Sequence, residues 1–167
     1  DRLLKSPSGQ RGRDFAMMLV TLGNLGYEVE WRMVNAADYG FPQKRRRVYI
    51  VARQAGDEGP DANEVLYRGT MARALPIADG PTFAQETFRI EGLPAEVSES
   101  FGATRGDSRF RSAGYFTPHG RRVWTFDPTP AWAGDVTLLR DIINDQEQIN
   151  QRTKERQKER LRSLFQD

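Results

Sequence analysis

Cysteine is missing altogether from the 167 residues. That removes disulfides, thiolate metal sites and cysteine nucleophiles from anything this chain does by itself. Histidine is nearly missing: His119 stands alone, so a histidine-based metal centre has no second ligand. No apolar run is long enough to cross a membrane, and the first residues lack a signal-peptide pattern. A soluble, cytoplasmic protein is therefore expected. Apolar residues make up only 38% of the chain, and a mean hydropathy of −0.69 predicts a core that is modest for the length. No internal repeat is present. A strong overall charge is lacking too, at a formal net of +2, but the charges are unevenly placed. Residues 1–53 carry 10 basic and 5 acidic groups, residues 54–104 carry 3 and 9, and residues 105–167 carry 12 and 9. Basic ends around an acidic middle suit a protein that meets phosphates locally while the whole stays dissolved.

What the chain does have is concentrated in residues 35–52, Asn-Ala-Ala-Asp-Tyr-Gly-Phe-Pro-Gln-Lys-Arg-Arg-Arg-Val-Tyr-Ile-Val-Ala. Pro42 fixes its own φ, and Gly40 permits backbone that other residues avoid. Tyr39 to Pro42 should thus form a rigid, non-helical turn that delivers Gln43 and four cations to the start of a strand. Val48, Tyr49, Ile50 and Val51 predict that strand, mostly buried. In extended backbone, alternation puts Arg45 and Arg47 on one face and Lys44 and Arg46 on the other. Adjacent cations repel, so they call for an anionic partner or wide exposure; a solvated basic turn is the ordinary alternative.

This segment resembles the eighth conserved motif of the DNA cytosine-5 methyltransferases, Asp-Tyr-Gly-x-Pro-Gln-x-Arg-x-Arg between two strands. Asp38, Tyr39, Gly40, Pro42, Gln43, Arg45 and Arg47 are in register, and strands at Tyr27–Val34 and Val48–Ala52 flank it as in that family. The resemblance is strong over the first third of the chain. It implies methyl transfer from S-adenosylmethionine to C5 of a cytosine in duplex DNA, with the base swung out of the helix. It assigns the base-contacting role to Arg47, with Arg45 and Gln43 shaping the pocket. A planar guanidinium suits donation to the cytosine O2 and stabilisation of the anionic adduct, a task for which Lys is a poor replacement. Lys44 and Arg46 fall at unconstrained positions, where phosphate contact and plain solubility are both open.

The resemblance also makes the absences specific. The family's nucleophile is a Pro-Cys thiolate, its cofactor loop is Phe-x-Gly-x-Gly, and a Glu-Asn-Val motif contacts the base; none is present. The chain is thus expected to be a piece of such an enzyme, inactive alone and binding no cofactor, with S-adenosylmethionine serving the full-length parent. The predicted fold is an α/β fragment: an edge helix and antiparallel strand pair of a Rossmann-like methyltransferase domain, followed by an irregular α+β recognition region. Residues 1–53 are read as the catalytic-domain part, 54–64 as a linker, and 65–167 as part of the target recognition domain with a C-terminal helix. A strand pair cut from a larger sheet leaves an edge and a helix face uncovered, so self-association into a homo-oligomer is expected. A non-catalytic DNA-binding or assembly module is the alternative from another class, and a regulatory piece without a nucleic-acid role is a third.

Elsewhere the pattern is plainer. Phe15, Met18, Leu19, Leu22 and Leu25 have helical spacing, closed by Gly26. Tyr27, Val29, Trp31 and Met33 alternate with Glu28, Glu30 and Arg32, which predicts a strand with one wet face. Residues 64–104, punctuated by Pro76, Pro81 and Pro94, are expected to be mostly loop with short elements. Residues 109–126 predict a hairpin turning at Gly120. Its Arg109, Arg111, Arg121 and Arg122, beside Tyr115, His119 and Trp124, combine cations with aromatics as DNA readers do; an Arg-rich sheet face is the ordinary reading. Phe110-Arg-Ser-Ala-Gly-Tyr-Phe is similar to a short pattern in recognition domains of some bacterial methyltransferases. A short helix from Thr137 to Ile143 and a very polar one from Asp145 to Phe165 complete the chain. In the latter, residues 152–162 hold six basic and two acidic groups, which read as a solvated face, with Leu161, Leu164 and Phe165 as a small apolar stripe.

Overall fold

In the computed structural model, residues 2–78, 86–102 and 108–164 are described. Pro81, Phe165 and the side chains of Leu161 and Leu164 lie outside the described residues. The first helix, α1 (Arg13–Asn24), is followed by β1 (Tyr27–Asn35) and β2 (Arg46–Gln54). Two short helices come next, α2 (Ala62–Arg68) and α3 (Thr70–Ala74), then β3 (Glu86–Arg89) and α4 (Pro94–Ser100). A hairpin of β4 (Ala113–Thr117) and β5 (Arg122–Phe126) precedes the long α5 (Leu139–Leu164). The strands form one sheet in the order β2-β1-β4-β5-β3, and every pairing in it is antiparallel. The chain is α/β in class.

One face of the sheet carries the larger core. The apolar stripe of α1 (Phe15, Leu19, Val20) packs on Trp31, Phe110, Phe116 and Val123, with Val97 of α4 beside it. Phe15, Trp31 and Phe110 meet edge to face, with centroids 5.1, 4.9 and 6.0 Å apart. Full burial of each such ring contributes roughly 1.5–3 kcal/mol, and the edge-to-face geometry adds to it. Gly114 faces the Trp31 ring so closely that a Cβ there would collide with it, so β4 can cross this tryptophan only as glycine. The opposite face is closed by α2, whose Ala62, Val65 and Leu66 sit on Ala113, Tyr115 and Phe126. Both faces of β4 are therefore buried.

Several expectations are corrected here. Glu28, Glu30 and Arg32 were expected on a wet face of β1, and all three are buried. The cause lies outside the strand: α2 and α3 cover that face, and Arg32 donates to the carbonyls of Leu66 (2.6 Å) and Leu75 (2.8 Å). Tyr115 donates to Glu28 (2.5 Å), which also pairs with Arg53, and Glu30 faces Arg32 at 3.7 Å. Burial raises the Glu30 carboxyl above its ordinary pKa and lowers that of Arg32, each opposed by the charge of the other.

The strand β2, expected to be mostly buried, is the sheet's outer strand, and Tyr49 and Val51 are exposed on it. On its other side β1 is covered by β4, from Val29↔Phe116 to Arg32↔Ala113. The polar stretch 54–64 runs into α2, which starts at Ala62 behind an Asp61 side chain that accepts from the Asn63 amide. The two C-terminal helices expected at 137–143 and 145–165 are one helix, and its described side chains are all exposed. No described helix is long and apolar enough to cross a membrane.

Candidate functional site

The basic turn begins with a short 3-10 turn, Ala36–Tyr39, that the sequence reading did not foresee. Asn35 leaves β1 and donates to Asp38 (2.9 Å), and Gly40 ends the turn at φ +82°. The Phe41 amide returns to the Ala36 carbonyl (3.2 Å), as does the Ala36 amide to the Arg45 carbonyl (3.1 Å). Residues 36–45 therefore form a closed loop at one end of the β1–β2 ladder, whose last pair is Asn35↔Arg46. Tyr39, expected only as part of the motif, is buried to 6% and fixes this loop from beneath.

Two hollows separate Arg45 and Arg47 from Arg46, as alternation predicts for those three. Gln43, Arg45 and Arg47 line one open hollow of about 780 Å³, together with Tyr39, Phe41 and Leu75. Arg46 lines a different, smaller hollow of about 190 Å³ with Asn35, Asp38 and Ser112. All five of Gln43, Lys44, Arg45, Arg46 and Arg47 are exposed. Arg47 spends one donor on the Arg46 carbonyl (2.9 Å). A fork of guanidinium donors beside an aromatic and aliphatic wall is suited to a flat, polar-edged, electron-rich ligand.

The hairpin arginines are held differently. Arg109 stacks over the Phe88 ring at 4.0 Å, and Arg111 donates to Glu86. Arg121 donates to the Gly92 carbonyl (2.8 Å) and to Asn24 (2.6 Å), tying the turn to α1, and Arg122 lies 5.6 Å from the Trp124 ring. His119 meets the Gly56 carbonyl at 2.8 Å. The structure thus gathers Gln43, Arg45 and Arg47 at one hollow and gives the four hairpin arginines intramolecular contacts elsewhere. Among the described residues, no group of His, Cys, Asp and Glu side chains is arranged to hold a metal.

Two contributors escaped the sequence reading. Leu75, at the end of α3, supplies a wall of the larger hollow, and residues 128–137 run back across the arginine turn. Neither carries a periodic signal. Only Trp132 and Gly134, an aromatic and a glycine in an otherwise irregular stretch, hinted at a fixed backbone there.

A buried-footed loop thus presents planar cations on the rim of an α/β sheet. Comparison with known proteins supplies the family. The family model described as C-5 cytosine-specific DNA methylase matches residues 2–160. The chain belongs to that family. It is 55% identical over 163 residues to the type II methyltransferase M.Sau3AI of Staphylococcus aureus, an alignment covering 90% of this chain and 38% of the relative. Shorter matches reach M.NlaIV of Neisseria lactamica, 46% identical over 28% of this chain and 11% of the relative. M.NgoBI of Neisseria gonorrhoeae is 52% identical over 24% of this chain and 13% of its own length. The chain spans well under half the length of the curated relatives it matches. No solved structure matches it.

Proposed function

We propose that this chain supplies the base-holding part of a DNA cytosine-5 methyltransferase, which takes a cytosine out of duplex DNA and methylates its C5. The observation that carries this reading is the shared hollow of Gln43, Arg45 and Arg47, with Arg46 turned to another. In this reading the Arg47 guanidinium donates to the O2 of the extruded base and stabilises the charge that develops on the ring during attack. Arg45 and Gln43 hold the ring's surroundings, while Lys44, Arg46 and the hairpin arginines Arg109, Arg111, Arg121 and Arg122 contribute to contact with phosphates. Of the hairpin set, Arg111 and Arg121 already spend donors within the chain.

S-adenosylmethionine is the methyl donor that the family implies. The residues of the larger hollow do not fit it: a sulfonium cation would be repelled by Arg45 and Arg47. The cofactor is therefore assigned to parts of the enzyme other than these residues. We read α1, β1 and β2 as one margin of a Rossmann-like methyltransferase sheet, continued beyond the open edge of β2.

The test is single-turnover methylation beside a duplex-binding titration in the complete enzyme. Loss of one charged donor to a developing anion costs about 3 kcal/mol, so Arg47→Ala should slow methylation about a hundredfold with little change in duplex affinity. Arg46→Ala should do the reverse, with near-normal turnover and a flatter dependence of affinity on salt. Methylation by Arg47→Ala at the unaltered rate would make the basic turn a mere surface.

A further inference from the structure

The arginine turn is not held by its own strands alone. After β5 the chain runs as an irregular strap from Thr129 to Thr137, and three backbone hydrogen bonds fasten it at both ends. The Ala78 amide donates to the Thr129 carbonyl and the Ala131 amide to the Pro76 carbonyl, each at 2.9 Å, beside an Ile77↔Pro130 bridge. At the far end the Thr137 amide donates to the Gly40 carbonyl at 2.8 Å. The first two bonds grip the segment just after Leu75, and the third grips the turn itself. Leu75 and residues of the turn both line the hollow that Arg45 and Arg47 share.

Trp132 sits at the centre of this strap. Its ring meets Tyr39 edge to face at 6.3 Å, and its Nε1–H donates to the Asp135 carbonyl at 3.0 Å. The backbone beneath it is glycine twice. A Cβ on Gly40 would collide with the indole nitrogen and the Asp135 carbonyl, and one on Gly134 would collide with the indole ring. Trp132 belongs to neither hydrophobic core and is 42% exposed. An indole that stands outside both cores, seated on two glycines and on the buried foot of the arginine loop, does little to hold the sheet together. Its contacts instead fix where the loop stands.

We propose that Trp132 is a positioning residue for base capture. It latches the strap onto Tyr39 and Gly40, and so sets the spacing between the arginine turn and the Leu75 wall. The proposal rests on the functional reading above. Misplacement of catalytic groups by about 1 Å can cost a hundredfold in rate, whereas ground-state affinity depends on many phosphate contacts and moves little.

The experiment uses the complete enzyme, as in the test above, with a cognate duplex. Trp132→Ala should lower the single-turnover methylation rate about tenfold or more, with the duplex Kd changed less than about twofold. Trp132→Phe, which keeps a ring against Tyr39 but loses the Nε1 bond and part of the indole face, should restore most of the rate. A Trp132→Ala rate equal to that of the parent overturns the proposal, and so does an affinity loss as large as the rate loss. Should Trp132→Ala not fold, Trp132→Phe and hydrogen exchange of the unaltered protein decide. The Ala131 and Thr137 amides should be protected relative to those of the exposed residues 133–136, and equally rapid exchange overturns the latch. If the unaltered protein methylates no cytosine, the functional reading falls and the proposal falls with it.

Discussion

Tyr115 shows how a single buried group couples the two halves of the chain. Its hydroxyl donates to Glu28 from the centre of β4, and burial together with that bond raises the phenol far above its ordinary pKa. Tyr39, beneath the arginine turn, is raised by burial as well. Both phenols are therefore neutral in the folded protein at a pH where the unfolded chain ionises its own. Such groups contribute stability that is fully present below the unfolded pKa of about 10 and is lost as the pH rises through the folded values. Removing a buried hydrogen bond to a charged partner costs roughly 1.5–3 kcal/mol. Tyr115→Phe should accordingly lose about 2 kcal/mol at pH 8 in a denaturant titration. The same titration at pH 10.5 should show a smaller difference between the two proteins, since part of the contribution of Tyr115 has gone. A difference that grows with pH would contradict this assignment. Glu30 has the same sign in another window: its raised pKa makes its contribution largest in acid, and that contribution fades as the pH rises above about 4.5.

Among the elements, β2 is a long strand at one edge of the sheet. It pairs with β1 along its whole length, from Tyr27↔Gln54 to Asn35↔Arg46, and no described strand occupies its other side. Tyr49 and Val51 lie exposed on it, 53% and 39% accessible. A nine-residue strand with free amides and apolar side chains is a template for another strand. The cations at its start discourage pairing only there. We therefore expect the 167-residue polypeptide to self-associate through β2, and replacing Val51 by Lys to shift it towards monomer. Sedimentation velocity over a hundredfold range of concentration is the measurement, and a strictly monomeric profile at the top of that range would count against the expectation. In the proposed complete enzyme this edge is the place where the methyltransferase sheet continues.

For the molecule as a whole, the chemistry divides between what these residues offer and what they lack. They offer guanidinium donors on a braced loop and an α/β sheet that holds it. They lack any thiol, so no thiolate can add to C6 of cytosine from within this polypeptide. The 167-residue polypeptide alone should incorporate no methyl group into any duplex above a no-protein control, measured with labelled S-adenosylmethionine. Incorporation by the pure polypeptide would mean a different nucleophile and a different reaction.

Much of this was legible in the sequence. Local periodicity located α1, β1, β2 and the hairpin, because helical and extended backbone each impose a repeat on apolar side chains. The seven motif residues from Asp38 to Arg47 identified the family, and alternation correctly separated Arg45 and Arg47 from Arg46. What tertiary structure alone decided is which surfaces meet. Glu28, Glu30 and Arg32 alternate like a wet strand face, yet the carbonyls that satisfy Arg32 arrive from Leu66 and Leu75, far along the chain. Val48 to Val51 read as buried, yet only Val48 and Ile50 pack against the larger core, while Tyr49 and Val51 on the other face stay exposed. The strap over Gly40 has no period at all. Its amides, and the Trp132 ring seated on two glycines, find their partners only once the hairpin has folded against β1, because contact across the sheet is a property of three-dimensional packing and leaves no repeat in the strand that receives it.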